Sequence, residues 1–161
     1  MTKTTPILAI ILSLLLLSVI VSAILFSNQL EQSTDVGDTP LNISIGEVDL
    51  TGYPNPLGGT LTDDPRHFPS YIIRGELIDE KVIITPTATM NATLYLSITG
   101  DQLTTRAWIW DGSWTELSFT TEGTTKTATV HSGEMVGTIE IPILIQFNSD
   151  GHKALEWWCE G

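Results

Sequence analysis

The sequence predicts an all-β domain, a β-sandwich of immunoglobulin-like type, carried behind one N-terminal apolar helix. Three observations lead there. Short apolar-alternating stretches recur with turn residues between them from Leu41 onward. No stretch beyond residue 30 keeps a 3.6-residue apolar period. And residues 6–26 form an uncharged run, PILAIILSLLLLSVIVSAILF, whose only polar side chains are Ser13, Ser18 and Ser22. Period two marks half-buried strands, whereas a run of this length without charge marks a membrane-inserting helix.

As a helix, residues 6–26 are about 30 Å long, the thickness of a bilayer's hydrocarbon core. Lys3 is the only charge before them, and all 19 acidic residues follow. This places residues 1–5 in the cytoplasm and everything after 26 outside, in a single-pass protein of the cell membrane. The same run also reads as a secretory signal, with Val21-Ser22-Ala23 as its small-residue cleavage site. Cleavage near Ala23 makes the product secreted or surface-bound. Both readings export the remainder.

Residues 27–40, SNQLEQSTDVGDTP, are polar with Gly37 and Pro40 as breakers, and read as a linker. Leu41, Ile43 and Ile45 then alternate with polar residues. The phase shifts after Gly46, at Val48 and Leu50, as a β-bulge that keeps the apolar side chains on one face would require. Pro54, Pro56, Pro65 and Pro69 together with Gly52, Gly58 and Gly59 make residues 52–70 a long loop. Tyr71–Ile78 and Lys81–Thr85 read as strands separated by a turn at Asp79-Glu80. Thr93–Thr99 alternates, with Leu94, Leu96 and Ile98 on one face. Arg106–Trp110 and Trp114–Thr120 flank Asp111-Gly112-Ser113, a hairpin loop with glycine at the left-handed position. Thr124–Val130 is a further strand. In Val136–Phe147, Ile139, Ile141, Ile143, Ile145 and Phe147 share one face, and Pro142 on the other points to an edge or a bulge. The expected extracellular sandwich spans 41–150, and 151–161 read as a C-terminal tail.

With Lys3 set apart, six basic residues stand against 19 acidic ones, a net charge of −13. Such a surface repels nucleic acid and anionic headgroups, which excludes nucleic acid as a partner. Cys159 is the sole cysteine, so no intramolecular disulfide forms, and it is a candidate intermolecular thiol. Asn42-Ile43-Ser44 and Asn91-Ala92-Thr93 fit the N-glycosylation pattern, making Asn42 and Asn91 acceptor candidates on an exported chain. His67, His131 and His152 belong to no metal-ligand pair, and no nucleophile motif or phosphate-cradling loop is present. The expectation is a non-enzyme without cofactor. The loop carboxylates Asp63-Asp64 and the Asp79-Glu80 pair offer the only hint of Ca²⁺.

Trp108, Trp110 and Trp114 bracket one hairpin, and Trp157-Trp158 lie near the C-terminus. If Ala107 and Ile109 point inward, Trp108 and Trp110 point outward, where indoles form a glycan-stacking or subunit-contact surface. If the indoles point inward, they are core.

Three stretches resemble the TasA/camelysin family of exported filament subunits. Ser22-Ala23-Ile24-Leu25-Phe26-Ser27-Asn28 stands at the junction after the apolar segment, with Asn28 where the family has Asp. Ile45-Gly46-Glu47-Val48-Asp49-Leu50 matches the first strand, and Asn91-Ala92-Thr93-Leu94-Tyr95-Leu96-Ser97-Ile98-Thr99-Gly100 a later one. The resemblance implies a jelly-roll-type sandwich in which an extended N-terminal strand completes a neighbouring subunit. The functional expectation is a membrane-tethered or filament-forming structural protein of the cell surface, with the lipid bilayer and further copies of itself or other surface proteins as partners. The alternative is a membrane-anchored binding ectodomain that recognises glycan or a surface partner.

Overall fold

The computed structural model describes residues 30–35, 41–67, 69, 71–100 and 104–161. The apolar segment 6–26 lies outside them, and among the described residues no helix is long and apolar enough to cross a membrane. Eleven strands occur there: β1 (Leu30–Asp35), β2 (Leu41–Gly46), β3 (Arg66–His67), β4 (Leu77–Pro86), β5 (Met90–Gly100), β6 (Thr105–Trp110), β7 (Trp114–Glu116), β8 (Thr120–Glu122), β9 (Thr125–Met135), β10 (Ile139–Phe147) and β11 (Lys153–Glu160). They form two sheets, ordered β1-β11-β5-β9-β8 and β2-β4-β10-β6-β7, with β3 beside β4 where β2 ends. Neighbours are antiparallel except β1 with β11 and β3 with β4.

The alternation read from the sequence fixes which face of each strand is dry. Leu94, Leu96 and Ile98 of β5 and Leu155, Trp157 and Cys159 of β11 meet Ile78, Val82 and Ile84 of β4 and Ile141, Ile143, Ile145 and Phe147 of β10 in one core. This is the β-sandwich-like, all-β architecture that period two requires, two half-apolar sheets covering each other. Opposite Leu94/Tyr95 the register with β9 slips by one residue, a bulge that leaves Val130 unpaired. Gly112 takes a φ of +104°, so the β6–β7 hairpin turns as its sequence requires.

Four expectations are corrected. The phase shift after Gly46 is no bulge within one strand. Strand β2 ends there, and Val48 and Leu50 join a second cluster, with Leu61, Trp108 and Leu144, on the outer face of the sheet. The shifted alternation is the chain changing faces. Asp79-Glu80 is not a turn: both residues lie within β4 and are fully buried. Residues 151–161 are not a tail, since β11 lies between β1 and β5. The linker read at 27–40 includes β1. Pro142 sits in a central strand, but β6 pairs only with Ile143–Phe147, so the proline occupies the part of β10 with a neighbour on one side.

Candidate functional site

Strand parity places Ala107 and Ile109 of β6 on the inner face and Arg106, Trp108 and Trp110 on the outer one. The outward indoles are not free. Residues 47–64 fold back over them, held by the Gly52 amide donating to Leu61 O (2.8 Å) and the Leu61 amide to Tyr53 O (2.8 Å). Asp64 Oδ1 accepts from the amide of buried Leu50 (2.8 Å). Trp108 is only 3% exposed, with the Arg106 guanidinium 4.7 Å above its ring, and Arg106 in turn pairs with both oxygens of Glu116 (2.8 and 2.7 Å). Trp110 and Trp114 are half-buried. They meet edge-to-face at 5.1 Å, and Tyr53 of the loop meets Trp110 at 5.0 Å. Trp114 Nε1 donates to Pro54 O at 2.6 Å. The proline-rich loop is therefore what these indoles bind. Trp114→Phe, which keeps the ring and removes the donor, is expected to cost about 1 kcal/mol in denaturant unfolding and to speed proteolysis within 52–64.

Cys159 and Trp157 belong to the core between the sheets. Cys159 is buried and its thiol is pushed up to about 11 by burial, which suppresses the thiolate that disulfide chemistry needs. The intermolecular thiol expected from the sequence is thus corrected. An aromatic disulfide reagent is expected to titrate no thiol in the native protein at neutral pH and one after denaturation. Trp157 is fully buried, which removes it as a docking residue. Its neighbour Trp158 lies on the outer face, half-buried and stacked on Tyr95 at 5.2 Å and 19°. Asn42 and Asn91 are both exposed, and Asn91 lines a cavity of about 410 Å³ with Thr93, Ser132 and Glu160.

The carboxylates carry the unusual electrostatics. Parity sends Glu80 inward with Ile78 and Val82, and Asp79 outward beneath the loop. Glu80 Oε2 accepts from Gln32 Nε2 of β1 at 2.7 Å, while Oε1 has no partner among the described residues. Burial raises the Glu80 carboxyl to about 8, opposed by Gln32 and reinforced by Asp79. Asp79 Oδ2 lies 3.6 Å from His67 Nδ1, and neither Asp79 oxygen makes a hydrogen bond of ordinary geometry. Burial raises Asp79, His67 opposes this, and Asp64 adds to it. Arg66, next to His67, clamps Glu76 through Nη2 at 2.6 Å and so ties β3 to the start of β4. Asp63 is exposed, and no group of three metal-ligating side chains occurs among the described residues. The Gln32–Glu80 contact leaves no local trace in the residue pattern, because its partners are 48 residues apart.

No protein-family model matches the chain, and no curated protein matches it.

Proposed function

We propose that the chain is a non-enzymatic structural protein of the cell surface, exported behind residues 6–26 and acting as a membrane-tethered or filament-forming β-sandwich subunit. The observation that carries this reading is β1. It is the first described strand after the apolar segment, it lies at a sheet edge, and it pairs along all six residues, Leu30–Asp35, with Lys153–Trp158. An edge strand paired on one side only is the element most readily exchanged for its counterpart in a second copy. Such exchange repeats the same six pairings between subunits and leaves the core of each intact.

Two further features support the assignment. Eight of the strands, β1-β11-β5-β9 and β4-β10-β6-β7, follow jelly-roll order, with β8 and β2 added at the edges and β1 parallel to its neighbour, which supports a jelly-roll-type reading of the sandwich. This agrees with the likeness to the TasA/camelysin stretches around Phe26, Gly46 and Asn91. The strongly acidic domain suits an exported surface protein, and Asn42 and Asn91 are exposed where N-glycans would be attached. The bilayer and further copies of the chain, or other surface proteins, are its partners.

Mass spectrometry of the mature N-terminus and electron microscopy of expressing cells test this together. We expect the protein in the membrane fraction with its N-terminus intact, or in surface fibres with the chain starting near Ile24. A soluble monomer with an intact N-terminus and no fibres removes the assembly reading. Full-length protein dissolved in the cytosol removes export as well.

A further inference from the structure

The outer face of the β1-β11-β5-β9-β8 sheet carries a pocket that neither the loop nor the core uses. Its volume is about 370 Å³, and it is lined by Tyr95, Ser118, Thr120, Thr127 and Thr129. Small-molecule sites begin at roughly 300 Å³, so this is room for one or two small rings. The register builds it. Tyr95 of β5 pairs with Thr129 of β9, and Thr127 of β9 pairs with Thr120 of β8, so four of the lining residues come from three adjacent strands. On the other side, Trp158 of β11 pairs with Tyr95 and stacks on its ring at 5.2 Å and 19°. Trp158 thus backs Tyr95, which stands as a wall of the pocket.

Every lining side chain bears a hydroxyl, and none of these hydroxyls has a hydrogen-bond partner among the described residues. The contrast lies on the same face. Thr93 and Ser132 bond each other at 3.0 Å, as do Thr99 and Thr125, so neighbouring hydroxyls there satisfy one another. Around Tyr95 they do not. The lining carries no Asp, Glu, Lys or Arg.

We propose that this pocket binds a neutral saccharide unit, one sugar ring laid against Tyr95 with its hydroxyls bonded to Ser118, Thr120, Thr127 and Thr129. The match is chemical on both counts. A pyranose offers an apolar face of C–H groups to an aromatic ring and a rim of hydroxyls, each a donor and an acceptor, to a rim of the same kind. An uncharged lining in a domain of net charge −13 favours neutral sugars over uronates or sialylated glycans. The site lies on a different face from Trp108, Trp110 and the proline-rich loop, and it does not depend on strand exchange by β1.

The test is saturation-transfer NMR on the full chain in a sugar-free zwitterionic detergent, with glucose, galactose, N-acetylglucosamine and cellobiose as probes and glucuronate as the charged control. We expect saturable transfer to the ring C–H protons of at least one neutral probe and weaker transfer to glucuronate. Tyr95→Ala should weaken binding at least about tenfold, and Tyr95→Phe should largely retain it. The paired change Thr127→Val with Thr129→Val keeps shape and removes two hydroxyls, and should also cost about tenfold. Circular dichroism confirms that each variant is folded, and should Tyr95→Ala fail to fold, the valine pair decides. Absence of saturable transfer from all four neutral probes overturns the proposal. So does binding that the folded variants leave unchanged.

Discussion

Glu80→Gln is expected to stabilise the protein by several kcal/mol at pH 8 and to leave it almost unchanged at pH 4. The unfolded chain releases the Glu80 proton near 4.5, whereas the native chain holds it to about 8. Over that interval the native state binds the extra proton, so unfolding free energy falls as pH rises and levels off once both states are ionised. At about 1.4 kcal/mol per pH unit, the full fall is on the order of 5 kcal/mol. Glutamine resembles the protonated acid: its oxygen still accepts from Gln32 Nε2, and it never ionises. Denaturant midpoints across pH 4 to 9 check this, with a steep decline in the parent and a shallow one in the variant. The residual slope falls to Asp79, also raised by burial and ionising lower in the range. Equal slopes in parent and variant would show that Glu80 is solvated.

Removing residues 153–161 is expected to abolish cooperative unfolding altogether. Strand β11 pairs with β5 along eight residues and with β1 along six, and it places Leu155, Trp157 and Cys159 in the core. Without it the five-stranded sheet is split and β1 has no partner. A graded version keeps the backbone. Trp157→Ala deletes the largest of the fully buried side chains and should cost about 3–5 kcal/mol, read as a lower denaturant midpoint at unchanged slope. A truncated chain that still unfolds in one sharp transition would return these residues to the status of a tail.

How much of this was legible in the sequence follows from what period-two patterning can carry. It located Ile139 through Phe147, Leu94 through Ile98 and the Asp111-Gly112-Ser113 hairpin, because each alternates cleanly or holds its glycine where a left-handed φ is required. It failed at Asp79-Glu80, where composition favours a turn but tertiary contacts bury both carboxylates in mid-strand. It failed at β11 because Lys153, Glu156 and Glu160 look like the residues of a solvated end. Yet Leu155, Trp157 and Cys159 alternate there too, and that signal was present. The pocket at Tyr95 was out of reach. Its lining comes from Tyr95 to Thr129, and only register brings those residues together.

Strand β1 has a mechanical consequence. It runs parallel to β11, so a pull on the chain where it enters at Leu30, against a load applied at Gly161, acts along both strands from opposite ends. In that geometry the rungs between them are sheared together and share the tension, whereas an antiparallel neighbour pulled in the same way would unzip one rung at a time. The edge that looks easiest to exchange is thus also oriented to resist being torn away lengthwise.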